Sequence, residues 1–249
     1  MKKKVVIIGA GPAGLFSAYK LSENDKFEII ILDRGRDVDS RKCPLEYTGE
    51  CNNCNPCNVL YGTGGSGCLS DGILNLRPDI GGDLEELTGK SDKAMKLVNE
   101  VDSIFLKHGA PEKLFIGETE MIEELQRKAE ASGIKFIQIP QRHIGSDYTP
   151  VVINSMKKYL ENKGVKFVML ADATKIEKVK NYYVTTYLQK NKPYKIESEY
   201  LITAPGRAGS NFLMSQINEL GIKVVHQSID IGVRVEVSKV VMKPVIDVN

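Results

Sequence analysis

Lys4-Val5-Val6-Ile7-Ile8-Gly9-Ala10-Gly11-Pro12-Ala13-Gly14-Leu15-Phe16-Ser17-Ala18, followed by Phe27-Glu28-Ile29-Ile30-Ile31-Leu32-Asp33-Arg34-Gly35, is the stretch that decides the fold. The apolar run Val5–Ile8 runs into Gly9-x-Gly11-x-x-Gly14. A helical pattern follows, with Leu15, Ala18 and Leu21 on one face, and a second apolar run, Ile29–Leu32, ends in a carboxylate. Strand, glycine turn, helix, strand and acid are the context that a dinucleotide fingerprint requires. Gly9 serves the tight strand-to-helix turn, Gly11 the close approach of a pyrophosphate, and Gly14 the packing of helix on strand. Pro12 suits a first helical turn, where a missing N–H costs nothing. The N–H groups of that turn, with the positive end of the helix dipole, attract phosphate. Asp33 stands near the spacing at which a carboxylate accepts the ribose hydroxyls. An acid there repels the 2′-phosphate of NADP unless Arg34 or Arg36 compensates.

The unit looks like the FAD version of the fingerprint, GxGPxGxxxA with an acid, a base and Gly after the second strand. The cofactor-binding residues expected from it are Gly9, Gly11, Pro12, Ala13, Gly14, Asp33 and Arg34.

The chain has 249 residues, 42% of them hydrophobic, enough for one large domain or two small ones. Its 34 basic and 32 acidic residues leave a net charge of +2, which gives no electrostatic case for a nucleic-acid partner. Lys2, Lys3 and Lys4 before an apolar run hint at a signal peptide, but the run breaks at Gly9. No stretch is long enough to span a membrane, so the reading is a cytoplasmic protein.

Residues 36–83 are rich in turn formers. A loop of that length in a compact domain is usually functional or poorly ordered. It holds Gly62-Thr63-Gly64-Gly65-Ser66-Gly67-Cys68-Leu69-Ser70-Asp71-Gly72, a second formal GxGxxG. No convincing strand precedes it and no helix follows, so it reads as a loop against the nucleotide, with Gly64, Gly65, Ser66 and Gly67 as contacts. Ser70 and Asp71 could hydrogen-bond the ligand or form a local turn.

All five cysteines lie in this region: Cys43, Cys51, Cys54, Cys57 and Cys68. Cys51-x2-Cys54-x2-Cys57, with Cys43 upstream, has chelating spacing for zinc or an iron–sulfur cluster. It also reads as free thiols or, through Cys54-x-x-Cys57, as a redox disulfide. These alternatives stay open.

Further on, a helix is expected from Leu84 to about His108, with Met95, Val98, Val101 and Ile104 or Phe105 inward. Another is expected over Thr119–Ala131, and a strand over Ile134–Ile139. Thr149-Pro150 opens a helix that buries Val152, Met156 and Tyr159 or Leu160 and ends at Gly164; a strand Val165–Leu170 follows. Ile176–Val179, Tyr182–Leu188 and Tyr194–Thr203 read as a β-meander turning at Asn191-Lys192-Pro193. Ser210–Leu220 reads as a helix and Ile229–Val237 as a strand. Ala204-Pro205-Gly206 is a small-residue strand end suited to close approach of a nucleotide. His143, between Arg142 and Asp147, is a candidate acid or base.

The succession of these elements resembles the glutathione-reductase-type FAD domain. Cys51-Asn-Asn-Cys54-Asn-Pro-Cys57-Asn, Gly64-Gly-Ser-Gly-Cys-Leu-Ser-Asp-Gly72, Arg142-His-Ile-Gly-Ser-Asp147, Ala204-Pro-Gly-Arg-Ala-Gly209 and Ile231-Gly-Val-Arg-Val-Glu236 resemble, almost end to end, the bacterial FAD-dependent or NAD(FAD)-utilising dehydrogenases. The resemblance implies an α/β, Rossmann-like FAD-binding domain with a parallel central sheet, a β-meander and a helical insert. The expected division is 1–83 with 149–220 for FAD, 84–148 for the insert, and 221–249 for the start of a second domain. It also implies that Ala173 and its neighbours after the Val165–Leu170 strand meet the adenine, and that Ala204, Pro205 and Gly206 approach the nucleotide. Relatives typically continue with a Gly-Asp segment that returns to the flavin; Asp247-Val248-Asn249 is not that segment, and the expectation is an N-terminal portion. The implied activity is a flavoprotein oxidoreductase of dehydrogenase type, with a small-molecule substrate and NAD(P)H as a possible electron donor. The rival is a non-enzymatic sensor working through FAD and cysteine redox or metal chemistry.

Overall fold

A computed structural model of the chain describes residues 2–117, 119–225, 231–233 and 235–246. Its architecture follows from two apolar strands that lie side by side. Strand β1 (Lys3–Ile8) enters helix α1 (Pro12–Ser22), and β2 (Phe27–Asp33) returns parallel to β1, with Val5 opposite Ile29 and Ile8 opposite Leu32. Both strands are apolar on both faces because both faces are covered, as in parallel sheets generally. The inward face of α1 is Leu15, Ala18, Tyr19 and Ser22; Leu21 is only half-buried, so the helix is turned slightly from the face expected.

A short helix, α2 (Leu45–Thr48), interrupts the long loop after β2, and Ser66–Leu69 form a single 3₁₀ turn. Next come β3 (Ile73–Asn75), α3 (Leu84–Thr88), α4 (Ser91–Lys107), α5 (Thr119–Ala131) and β4 (Gln141–His143). Then α6 (Thr149–Asn162) leads into β5 (Lys166–Met169), β6 (Ala171–Val179), β7 (Tyr182–Gln189), β8 (Lys192–Ser198), β9 (Tyr200–Thr203), α7 (Ser210–Glu219) and α8 (Lys239–Ile246).

The chain divides into two compact units. The first, Met1–Gly72 with Gly145–Val225, is built on a four-stranded parallel sheet of order β5-β2-β1-β9. Helices α1 and α6 cover one face, joined by the stacked rings of Tyr19 and Tyr159 at 4.9 Å. The antiparallel meander β6-β7-β8 covers the other, where Val6, Ile8, Ile30 and Leu32 meet Ala171 and Ile176. The alternation of faces along β1 is thereby satisfied, since Gly14 of α1 lies over Ile7.

The second unit, Ile73–Ile144 with His226–Asn249, holds α3, α4, α5, α8 and the β3–β4 pair. Arg142 is held there by both carboxylate oxygens of Asp102 and by the carbonyl of Pro111. His143 stacks on Phe115 at 4.1 Å, its Nε2 3.1 Å from Oε1 of Gln141.

Four expectations are corrected. The helix from Leu84 breaks at Gly89, whose left-handed backbone ends α3, and the buried positions of α4 are Ala94, Val98, Ile104 and Phe105, with Met95 and Val101 at the exposed margin. No strand forms over Ile134–Ile139, where Ile134 and Ile137 are exposed; the Ile134 N–H is drawn back to the Ala129 carbonyl of α5, the Gln138 carbonyl accepts from the Arg77 side chain, and Pro140 has no N–H to give. The run Tyr194–Thr203 is two strands. It leaves the meander at Glu199, whose carboxylate accepts the Lys4 N–H, and its last four residues join the parallel sheet beside β1. Of Ile229–Val237, residues 229, 230 and 234 lie outside the described residues, and the others carry no strand.

Candidate functional site

The strand ends of β1 and β9 fix the glycine turn. The N–H of Ala204 donates to the carbonyl of Ile8 at 2.7 Å and that of Gly9 to Leu32 at 2.8 Å. Gly9 has φ +107°, and a Cβ there would lie 2.1 Å from the Ala204 oxygen. A Cβ on Gly14 would lie 1.9 Å from the Gly9 oxygen. Packing within the chain therefore demands glycine at both positions. Gly11 differs. Its backbone is extended (φ −73°, ψ −177°), and a Cβ would meet only Gly65 Cα, at 3.7 Å. Gly11 precedes α1, and no side chain caps the first turn, in which Pro12, Ala13 and Gly14 stand.

Asp33 is 8% exposed and accepts three backbone N–H groups: Ala10 at 2.7 Å, Gly35 at 2.7 Å and Gly62 at 2.8 Å. The carboxylate expected to face a ribose thus also stitches together the fingerprint turn, the end of β2 and the glycine-rich loop. Of the roughly four lone-pair directions of a carboxylate, about one remains for another donor.

The loop is laid directly on the fingerprint. The Gly64 N–H donates to the Ala10 carbonyl at 2.8 Å, and a Cβ on Gly65 would lie 3.0 Å from Gly11 Cα. From within, Arg41 holds the same loop through the carbonyls of Asn58, Val59, Thr63 and Gly65. Burial pushes the Arg41 guanidinium below its ordinary value, with Cys68 and Asp33 pulling against that shift. Burial likewise pushes the Cys68 thiol up, and Arg41 opposes it.

Beside the turn, still in the first unit, is a cavity of about 260 Å³ lined by Ile8, Gly9, Leu32, Asp33, Arg34, Tyr61, Ala171, Asp172, Ala173, Pro205, Ala208, Gly209, Asn211 and Phe212. Arg34 forms one wall. It lies 4.9 Å over the Tyr61 ring, donates to Asn55 Oδ1 at 2.8 Å and pairs with Asp172 at 3.6 Å. Ala173 sits where β6 bulges against β7, and the buried Gln216 accepts the Ile176 N–H beyond that bulge at 2.6 Å.

Of the residues singled out in the sequence, Gly9, Asp33, Arg34, Ala173 and Pro205 line this cavity. Gly11, Pro12 and Gly65 meet one another at the turn, and Gly64 donates to Ala10 beside them. Ala204 contributes its carbonyl beside Gly9, whereas added Cβ atoms on Gly67 or Gly206 would touch nothing within 4 Å. Ala13 lies in the first turn of α1, and Ser66 opens the 3₁₀ turn after Gly65. Tyr61, Asn211 and Phe212 escaped notice, because they sit in or just after loops where no periodicity marks a side chain. Arg41 escaped for the same reason.

All five cysteines are free thiols, Cys68 buried and the others at least partly exposed. Among the described residues no group of three or more His, Cys, Asp or Glu side chains is disposed to hold a metal ion. Among them, too, no helix is long and apolar enough to cross a membrane.

A profile of the NAD(P)-binding Rossmann-like domain matches residues 7–41. Comparison with curated proteins finds no sequence match. Among solved structures, the chain is similar to a 3-ketosteroid-Δ4-(5α)-dehydrogenase from Rhodococcus jostii RHA1 in complex with 4-androstene-3,17-dione, at TM-score 0.50 and 13% identity, over 81% of this chain and 45% of that one. More distant are a flavoprotein/dehydrogenase from Cytophaga hutchinsonii, at TM-score 0.41 and 15% identity over 84% and 40% of the two chains, and CtdE in complex with FAD, at 0.40 and 12% over 83% and 39%. The chain spans 30–51% of the length of such structures. With the parallel sheet, the glycine turn and the profile match together, the fold is α/β with a Rossmann-like nucleotide-binding domain.

Proposed function

We propose that the first unit binds FAD and that the chain serves a flavoprotein oxidoreductase of dehydrogenase type. The observation that carries this reading is Gly11. Neither its backbone conformation nor its protein neighbours call for glycine, in contrast to Gly9 and Gly14. A side chain at Gly11 would fill the space in front of an uncapped helix end, which is where a pyrophosphate gains N–H donors and a favourable dipole. In this reading Asp33 uses its remaining acceptor capacity on the ribose, and the cavity between Arg34, Tyr61, Ala173 and Pro205 takes the adenine. FAD is preferred over NAD(P) by the Gly11-Pro12-Ala13-Gly14 sequence and by the second glycine loop packed on the turn. A 2′-phosphate would meet the Asp33 carboxylate, and Arg34, which lines the same cavity, is already engaged by Asp172, Asn55 and the Tyr61 ring. Bound flavin would supply hydride or electron transfer, and the protein's part would be to place and tune it. A nicotinamide donor and a small-molecule substrate belong to the same proposal. So does the working division in which Met1–Gly72 and Gly145–Val225 hold the cofactor.

The test is to identify the nucleotide released from the purified protein by mass spectrometry and to titrate FAD and NAD(P)H into the nucleotide-free chain. FAD in the released fraction, with FAD binding tighter than NAD(P)H, is expected. Binding of NAD(P)H alone, or of no dinucleotide, overturns the proposal.

A further inference from the structure

Three cationic side chains of lysine or arginine are buried among the described residues: Arg41, Arg142 and Lys157. Arg142 sits on Asp102, and Lys157 on Asp37 and Glu161. Arg41, 4% exposed, has no carboxylate within ion-pairing distance among the described residues. It gives four hydrogen bonds to main-chain carbonyls instead: Nε to Asn58 at 2.9 Å, Nη1 to Thr63 at 2.6 Å, and Nη2 to Val59 at 2.9 Å and to Gly65 at 2.8 Å. A planar fork with five N–H groups can satisfy such a curved row of acceptors, and an ammonium cannot. A buried guanidinium with no counter-charge at pairing distance is costly, so all four bonds matter to keeping it there.

The row of carbonyls belongs to the segment that carries Gly64 and Gly65 onto the fingerprint. The peptide group joining Thr63 and Gly64 is gripped at both ends. Its C=O accepts from Arg41, and its N–H donates to Ala10 in the fingerprint turn at 2.8 Å. In a planar trans peptide these two groups point in opposite directions, so the hold at one end orients the bond at the other. The Gly65 carbonyl is held next along, and Gly65 is the residue in contact with Gly11 and Pro12.

We propose that Arg41 is a positioning residue for dinucleotide binding: through the carbonyls of Thr63 and Gly65 it seats the glycine-rich loop against Gly11 and Pro12, at the helix end that would receive the pyrophosphate. The inference rests on the reading of the turn as an FAD site. Arg41 itself touches no ligand in this scheme; it acts through Gly64 and Gly65.

The experiment compares FAD affinity of the full chain with that of Arg41→Ala and Arg41→Lys, each checked for cooperative thermal unfolding. Arg41→Ala is expected to bind FAD at least about tenfold more weakly, the scale of one charge-assisted hydrogen bond. Added methylguanidinium, far below denaturing concentration, should restore the affinity, and methylammonium or sodium chloride at the same concentration should not. Arg41→Lys keeps the charge and most of the stem, and is expected to lose a comparable factor because it cannot span four carbonyls. Binding by either variant within twofold of wild type overturns the inference, as does a folded Arg41→Ala that methylguanidinium leaves unrepaired. Should Arg41→Ala not fold, Arg41→Lys alone decides. A wild-type chain that binds no dinucleotide overturns the underlying reading, whereas a wild type that binds FAD beside variants that bind it equally overturns this inference alone.

Discussion

At the scale of single residues, three glycines of one motif do different work, and substitution separates them. Gly9→Ala must force β1 and β9 apart, since the new Cβ would overlap the Ala204 carbonyl in a left-handed backbone. It is expected to cost about 3 kcal/mol or more in urea denaturation. Gly11→Ala meets only an ordinary contact and an extended backbone, so stability should stay within about 1 kcal/mol of wild type. FAD affinity should nevertheless fall at least about tenfold in a fluorescence titration. Asp33→Asn preserves shape but turns an N–H₂ toward one of the three backbone donors now bound. A loss of about 2–3 kcal/mol is expected by chemical denaturation, with the Ala10 amide, bound to the carboxylate oxygen that Gly35 and Gly62 do not use, exchanging faster by hydrogen exchange. The motif spacing made these positions legible from the start, because each glycine lies within a few residues of the next. The second duty of Asp33 was not legible. Its partner Gly62 lies 29 positions away, on a loop whose course no local pattern dictates.

At the scale of elements, α6 shows what periodicity can and cannot deliver. Val152, Met156 and Leu160 were readable as its inner face and are fully buried. Met156→Ala should cost about 2–5 kcal/mol by denaturation, as buried large-to-small changes do. Lys157 lies on that face as well, yet no pattern announced it, because its acceptors Asp37 and Glu161 come from a distant loop and from the next turn of α6. Burial pushes the Asp37 carboxyl up, but the Lys157 hydrogen bond and the Val38 N–H outweigh it, and its proton affinity ends below the ordinary aspartate value. A depressed carboxyl stabilises the fold above its unfolded value and loses that contribution as pH falls through the folded one. Melting of the wild type should therefore decline below about pH 4, and Lys157→Met, less stable by about 1–2 kcal/mol at neutral pH, should decline less steeply there. The β8–β9 break at Glu199 shows the complementary failure. Both halves are β-rich, so composition runs on unbroken while the chain passes from one sheet to another.

At the scale of the whole molecule, ligand linkage gives a direct reading. If FAD binds only the folded chain, FAD at a hundred times its dissociation constant adds about 2.7 kcal/mol, which for a chain of this size raises Tm by about 5–10 °C. A thermal scan with and without FAD measures it, and NAD(P)H at equal concentration should raise Tm less. The strand order β5-β2-β1-β9 has a further consequence, for the time during which the chain is being made. One neighbour of β1 is β2, which leaves the ribosome almost at once; the other, β9, ends in the Thr203–Ala204 junction that closes over Gly9. At the usual 5–20 residues per second, Ala204 is added about 10–30 s after Asp33. Through that interval the nascent chain carries Val5–Ile8 with one edge unpaired and both faces apolar, the kind of strand that pairs with a stranger if nothing shields it. Translation speed and chaperone access early in synthesis thus bear on yield through a hydrogen bond, Ala204 to Ile8, that forms only once β9 has been made.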